Sequence, residues 1–155
     1  MKMANTYYQC YAHIVFAVKY RDCLISESNR EKVEKYISGI VNQDKCKIIS
    51  IYCNPDHIHI LVGFRPSISI SDLVRDIKSV SSKYINEQEL TTIRFRWQDG
   101  YSVFTCSHSL ITIVSNYIKN QPKHHQNKTF KDEYIRFMEK NEIEYDERYL
   151  FDCLD

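Results

Sequence analysis

The sequence predicts an α+β fold: an antiparallel sheet in the order β-α-β-β-α-β with helices on one face, followed by two further helices. Three observations predict it. Apolar residues alternate with period two in four separate segments. Two intervening stretches show helical spacing behind capping residues. A tight Asn54-Pro55-Asp56 turn joins the second and third strand-like segments.

The first strand-like run spans Tyr7 to Tyr20. Ala12, Ile14, Phe16 and Val18 fall on one face, and Tyr11, His13, Val15 and Lys19 on the other. Ser28 and Glu31 form a capping box, and Val33, Tyr36, Ile37, Ile40 and Val41 follow at helical spacing. Lys47 to Cys53 and His57 to Phe64 read as two strands of one hairpin. Arg65-Pro66-Ser67 ends that pattern. Ser69 and Asp72 then cap a second helix whose apolar stripe is Leu73, Val74, Ile77, Tyr84 and Ile85. Ile93, Phe95 and Trp97 alternate with Arg94 and Arg96, which predicts a fourth strand, and Tyr101 to Cys106 extends the sheet after a turn at Gln98-Asp99-Gly100. A third helix runs from Ser107 or Ser109 to about Gln121, with Leu110, Ile111, Val114 and Ile118 as its apolar arc. A last helix follows Thr129 with Tyr134, Phe137 and Met138 on one face. This order is the ferredoxin-like split βαβ pattern.

Residues 1–155 fit a single domain able to bury its own core. Three Gly and three Pro predict few, short loops. No apolar run approaches the roughly 20 residues that span a bilayer. Met1 to Tyr11 has no apolar core of a leader, so a cytosolic location is expected. The six cysteines, Cys10, Cys23, Cys46, Cys53, Cys106 and Cys153, contain no C-x-x-C pair, which excludes zinc-ribbon and thioredoxin-type sites and points to reduced thiols. A net charge of +1 neither demands nor excludes nucleic acid.

Two elements carry candidate chemistry. In a strand, His57 and His59 project to the same face, close enough to share a divalent ion, while Ile58, Ile60, Val62 and Phe64 face the core. Taken alone, a His-x-His pair is more often two histidines on a solvated sheet face than a metal site. On the third helix Tyr117 and Gln121 lie four residues apart and share one face. A core Tyr would be ordinary, whereas a Gln in that arc needs buried partners or a metal to accept its carboxamide oxygen. Together the elements suggest a site: His57, His59 and Gln121 around an ion, with the Tyr117 phenol beside it as nucleophile. Pro122 predicts that the helix ends or kinks at Gln121. His124 and His125, just beyond, are read as contacts to DNA or solvent ahead of a competing role as ligands, and His13 as a packing or hydrogen-bonding residue on the same sheet face. Lys19, Arg21, Arg75, Lys78, Lys83, Arg94, Arg96, Lys119, Lys123 and Lys128 are candidate phosphate contacts near these elements, with twelve Tyr as potential stacking surfaces.

The segment Asn54-Pro55-Asp56-His57-Ile58-His59-Ile60-Leu61-Val62 resembles the HUH motif (His, hydrophobic, His) of the single-tyrosine transposases that move insertion sequences as single strands. Tyr117-Ile118-Lys119-Asn120-Gln121 is similar to their catalytic helix. Tyr11 to Arg21, Ser79 to Lys83, Trp97 to Phe104 and Phe130 to Phe151 also resemble the corresponding segments, so the likeness covers nearly the whole chain. The resemblance implies a single HUH transposase domain of ferredoxin-like fold. It implies Mg2+ or Mn2+ as cofactor, with His57, His59 and Tyr117 catalytic and Gln121 a metal ligand. It implies cleavage and rejoining of single-stranded DNA at hairpin-bearing element ends through a 5′-phosphotyrosine. It further implies a homodimer with joined sheets and active sites shared between subunits, in the cytoplasm of a bacterium or archaeon and associated with the nucleoid. Two alternatives stay open: a host-retained HUH nuclease acting on repeated hairpins, and a non-catalytic ferredoxin-like nucleic-acid-binding regulator.

Overall fold

A computed structural model of the chain describes residues 5–19, 24–125 and 128–149. Arg21, Cys23 and Cys153 lie outside the described residues. The elements run β1 (Tyr11–Ala17), α1 (Glu27–Gln43), β2 (Lys47–Cys53), β3 (His57–Gly63), α2 (Ile70–Glu87), β4 (Ser102–Cys106), a 3-10 turn (His108–Leu110), α3 (Ile111–Lys119), α4 (Gln121–His124), α5 (Phe130–Lys140) and a last 3-10 turn (Glu147–Tyr149). All strand pairs are antiparallel, in the order β2-β3-β1-β4. That is the expected split βαβ sheet. Its outer edges are β2 and β4.

The central strands bury both faces, and each face has its own core. Ala12, Ile14 and Phe16 of β1 and Ile58, Ile60 and Val62 of β3 meet Val33, Ile37 and Val41 of α1 and Leu73, Ile77 and Ile85 of α2. On the opposite face Val15, Ala17 and Phe104 pack under Phe130, Tyr134 and Met138 of α5. Cross-strand pairing puts His59 opposite Val15, His57 opposite Ala17 and His13 opposite Phe104. The imidazoles therefore sit on the α5 side, and they are buried there rather than solvated.

Three boundaries differ from the sequence expectation. β1 is shorter than Tyr7 to Tyr20. α1 starts at Glu27, with an extended Ser26 at the N-cap position, so the expected cap Ser28 lies inside its first turn. The fourth strand is Ser102–Cys106, and Ile93 to Trp97 forms only an isolated bridge between Trp97 and Val18. The alternation there is real, since Phe95 and Trp97 are buried and Arg94 and Arg96 exposed. However, Asn86 occupies the backbone of Phe95 on both sides. Its Nδ2 donates to the Phe95 carbonyl at 3.0 Å and its Oδ1 accepts from the Phe95 N–H at 2.6 Å. A side chain thus takes bonds that a neighbouring strand would have supplied.

By contrast, α2 begins as expected: Ser69 accepts from the Asp72 backbone N–H. α5 repeats this with Thr129 and Asp132. Cys10, Cys46, Cys53 and Cys106 are free thiols, and burial pushes the Cys53 thiol up.

Helices α1, α2 and α5 each end with a left-handed residue that is not glycine: Lys45, Glu89 and Glu142, at φ of 58, 51 and 53°. Each closes a Schellman pair; for α2 the Glu89 N–H bonds the Asn86 carbonyl and the Leu90 N–H the Ile85 carbonyl. A chain with three glycines accepts side-chain strain at these ends. Glu89→Gly is expected to raise unfolding free energy by up to about 1 kcal/mol, relief of left-handed strain partly offset by greater freedom of the unfolded chain. Urea denaturation of the two proteins checks it; a clear loss of stability would contradict the strain assignment.

Candidate active site

His57 and His59 point from β3 towards α5 because they alternate with core residues Ile58 and Ile60. Their outer ring nitrogens converge with that of His125 and the carboxylate of Glu133: one donor atom from each of the four lies within 4.8 Å of the others. Glu133 Oε1 is 2.8 Å from His59 Nε2 and 3.6 Å from His57 Nε2, and Oε2 is 3.4 Å from His125 Nε2. This group of side chains has the composition of a divalent-metal site.

The far ring nitrogens are held from behind. His57 Nδ1 bonds Asp56 Oδ1 at 2.7 Å, His59 Nδ1 meets His13 Nε2 at 2.9 Å, and His125 Nδ1 donates to the Lys128 carbonyl at 3.1 Å. Such partners fix ring orientation and tautomer, as they do behind metal-bound imidazoles. His13 thus has the hydrogen-bonding role expected of it.

Tyr117 and Gln121 reach the same cluster from α3 and α4. The Tyr117 hydroxyl donates to Glu133 Oε2 at 2.6 Å, within a single chain. Gln121 is fully buried; its Oε1 lies 2.9 Å from His125 Nε2 and accepts from Asn54 Nδ2 at 3.2 Å, and Asn54 Nδ2 also faces His57 Nε2 at 3.1 Å. Gln121 Nε2 has no hydrogen-bond partner. The helix breaks at Asn120, directly before Gln121-Pro122, as the proline predicts. The predicted apolar arc of α3 is only partly buried: Ile118 is enclosed, whereas Leu110 is exposed.

Burial and the hydrogen bond to Glu133 push the Tyr117 phenol well above its ordinary value, so it is neutral at rest. Burial alone would raise the Glu133 carboxyl, but hydrogen bonds from His57 and His59 hold it well below the usual carboxylate range. His57 is raised, its burial outweighed by bonds to Asp56 and Glu133. Burial lowers His59 to about 4 and His13 to about 3.

Glu133 and Asn54 carry no site role in the sequence reading; His125, read first as a contact to DNA or solvent and second as a competing ligand, sits inside the cluster. A signal for Glu133 exists: an acid stands between Phe130 and Tyr134 on the buried face of α5. A cavity of about 880 Å³ opens beside Tyr117 and Glu133, with Lys123, Lys128, Arg136 and Lys140 in its lining. Among the other candidate DNA contacts, Arg75, Lys78, Lys83, Arg94 and Arg96 line two adjoining grooves, about 550 and 660 Å³, between α2 and the 94–101 segment. Lys78 Nζ also donates to the carbonyls of Gln98, at 2.7 Å, and Gly100. The Lys19 N–H bonds the Arg96 carbonyl beside these grooves, and Lys119 is exposed on α3.

Residues 6–121 match the family described as Transposase IS200 like. The transposase for insertion sequence element IS200 of Salmonella typhimurium is 31% identical over 125 residues, covering 77% of this chain and 81% of that protein. The ISDra2 transposase TnpA of Deinococcus radiodurans is 26% identical over 127 residues, covering 78% and 91%. Two solved structures share the fold. A Deinococcus radiodurans R1 chain described as a candidate transposase superposes with a TM-score of 0.58 at 23% identity, covering 78% of this chain and 97% of that one. A REP-associated tyrosine transposase, solved bound to a REP hairpin, gives 0.60 at 15% identity over 81% and 74%.

The buried imidazoles dictate how stability responds to acid. With divalent ions chelated, folded His13 and His59 stay neutral down to about 3 and 4, whereas unfolded histidines bind protons near 6.5. The unfolded chain holds more protons in that window, so stability falls as pH drops from 7 towards 4. Glu133 acts in the same direction below the ordinary carboxylate range, while His57, raised, opposes it. Denaturation midpoints at pH 7 and 4.5 should differ accordingly, and His13→Gln should flatten the difference; an unchanged slope would show His13 protonated in the fold.

Proposed function

The chain belongs to the IS200-like transposase family, and from that premise we propose that it cleaves and rejoins single-stranded DNA with Tyr117 as nucleophile, assisted by a divalent ion, Mg2+ or Mn2+. The observation that carries this reading is the placement of the Tyr117 hydroxyl on the carboxylate that also contacts the His57 and His59 rings.

The donors fit a metal. His57 Nε2 faces inward because Asp56 holds Nδ1, His59 contributes its Nε2, and the Gln121 carboxamide is buried with its nitrogen unpartnered. His57, His59 and Gln121 would hold the ion. When bound, it supplies charge that stabilises a phosphate oxygen as negative charge develops there. Tyr117 supplies the nucleophile: its phenol loses its proton and the oxygen attacks phosphorus. The bond from phosphorus to the 3′ oxygen breaks, and that oxygen takes up, through water, the proton the phenol gave away, leaving a 5′-phosphotyrosine and a 3′-hydroxyl. Bond energy is retained in the linkage, so rejoining reverses the step without a nucleotide cofactor. Lys123 and Lys128 line the cavity at the phenol, where they would attract the backbone. The grooves bearing Arg75, Lys78, Lys83, Arg94 and Arg96, flanked by Lys19, would hold a hairpin stem through its phosphates. Arg21 and Lys119 would add further phosphate contacts. The exposed edge of β4 and the exposed Leu110 and Ile113 of α3 support a homodimer with joined sheets. Within such a dimer the single-chain Tyr117–Glu133 contact favours sites completed inside each subunit over shared ones.

Incubation with single-stranded element-end oligonucleotides and magnesium or manganese should give a covalent adduct on denaturing gels. Tyr117→Phe should abolish it, and His57→Ala should reduce it at least about tenfold; an adduct persisting in Tyr117→Phe would move the nucleophile elsewhere. Nicked product with no adduct would indicate a water-using phosphodiesterase instead.

Hairpin binding gives a separate check on the grooves. Replacing Arg94 and Arg96 together by Ala should weaken binding across sequences and reduce the slope of log affinity against log salt by about 1 per lost phosphate contact. A slope equal to that of the unmodified protein would place the stem on another surface.

A further inference from the structure

The Proposed function reading assigns the ion to His57, His59 and Gln121, all within the family-matched residues 6–121. The side chains that close the cluster lie beyond that span. Resting on that reading, we propose that Glu133 and His125 complete a centre of three imidazoles and one carboxylate that takes first-row transition ions in preference to magnesium.

Hydrogen-bond accounting points to a cation at this spot. His125 Nδ1 must carry a proton, since its partner, the Lys128 carbonyl, only accepts. Neutral His125 therefore presents a lone pair at Nε2. That lone pair faces Gln121 Oε1 at 2.9 Å and Glu133 Oε2 at 3.4 Å, both acceptors in the arrangement found. His57 adds a second ring at the same spot: Asp56 holds its Nδ1, and its Nε2 meets Asn54 Nδ2 at 3.1 Å and Glu133 Oε1 at 3.6 Å. Acceptors directed at one another need positive charge between them. An ion meets that need for all of them at once, whereas a proton meets it for one pair.

The burial of Glu133 points the same way. A carboxylate enclosed on the apolar face of α5 is costly unless fully partnered. This one spans the cluster, with one oxygen at His57 and His59 and the other at His125 and Tyr117. Loops on both sides of α4 bring the groups together: Gln121 precedes Pro122 at the helix break, and His125 caps the short helix that follows.

The donor set decides the ion class. Magnesium favours oxygen ligands and retains water, whereas imidazole nitrogen favours later first-row ions, with affinity rising from Mn2+ to Co2+. With the Gln121 carboxamide the set is three imidazole nitrogens and two oxygens, a site on the nitrogen side of that division.

The test is calorimetric titration of the full chain with Mg2+, Mn2+ and Co2+ in turn, without DNA, with folding of each variant checked by circular dichroism. The expected order is Co2+ tighter than Mn2+, and Mn2+ at least about tenfold tighter than Mg2+. Glu133→Gln and His125→Ala should each weaken Mn2+ binding at least about tenfold. The visible spectrum of the Co2+ form should change in Glu133→Gln and His125→Ala. If His57→Ala abolishes binding while Glu133→Gln and His125→Ala bind as the unmodified protein does, the ion is held without them and the proposal fails. Equal affinity for Mg2+ and Mn2+, or tighter binding in Glu133→Gln, would also overturn it; the latter would mark Glu133 as a plug competing with the ion. If the unmodified protein binds no ion at all, the underlying reading fails as well. Should a variant misfold, Glu133→Asp and His125→Asn supply the same comparison.

Discussion

A carboxylate cannot be enclosed in a protein interior without compensating charge and hydrogen bonds, and Glu133 meets that constraint by gathering the site around itself. His57 and His59 come from β3, His125 from the end of α4, and Tyr117 from α3, and all four contact its two oxygens. α5 would otherwise be a helix docked by Phe130, Tyr134 and Met138 on the second core. Through Glu133 it also fixes how α3, which carries Tyr117, sits relative to the sheet. Packing on that face and the chemistry are therefore one arrangement.

The sheet makes this possible by dividing its labour. Its α1/α2 face is almost wholly apolar and anchors the fold. The opposite face mixes apolar residues near β4 with imidazoles along β3. Period-two alternation delivers both from the same strand, since Ile58 and Ile60 enter one core while His57 and His59 enter the other. The hairpin turn contributes twice: Asp56 braces His57, and Asn54 reaches both His57 and Gln121. A turn chosen for chain reversal thus also carries the supporting hydrogen bonds.

Features set by local periodicity were legible in the sequence. The shared face of His57 and His59, the Ser69 and Thr129 caps and the break before Pro122 each depend on residues a few positions apart. The Ile93 to Trp97 segment shows where that reasoning stops: its alternation reports burial, yet strand identity depends on who bonds the backbone, and Asn86 takes that part. Glu133 lay further out of reach. It is 74 residues from His59, and an acid in an apolar stripe names no partner by itself. His125 fails for a similar reason, because its position depends on a helix break whose direction sequence does not state. Arg75 shows the reverse limit: it lines a groove, but pairs with Asp72 and Asp76.

The electrostatics of the cavity follow from placing a phenol beside a carboxylate. Glu133 positions the phenol by accepting its hydrogen bond; burial and the same negative charge raise the phenol, and that charge opposes a phosphate brought against it. A strand can approach only if cations offset that field. Lys123, Lys128, Arg136 and Lys140 stand around the opening, where exposed ammonium and guanidinium groups attract a backbone without being buried themselves. Inside the cluster the imidazoles differ: bonds to Asp56 and Glu133 raise His57, whereas burial keeps His59 and His13 neutral. A neutral resting tyrosine, an anionic clamp and a basic rim are thus consequences of one another: removing the rim would leave the clamp repelling the strand, and removing the clamp would leave the phenol unplaced.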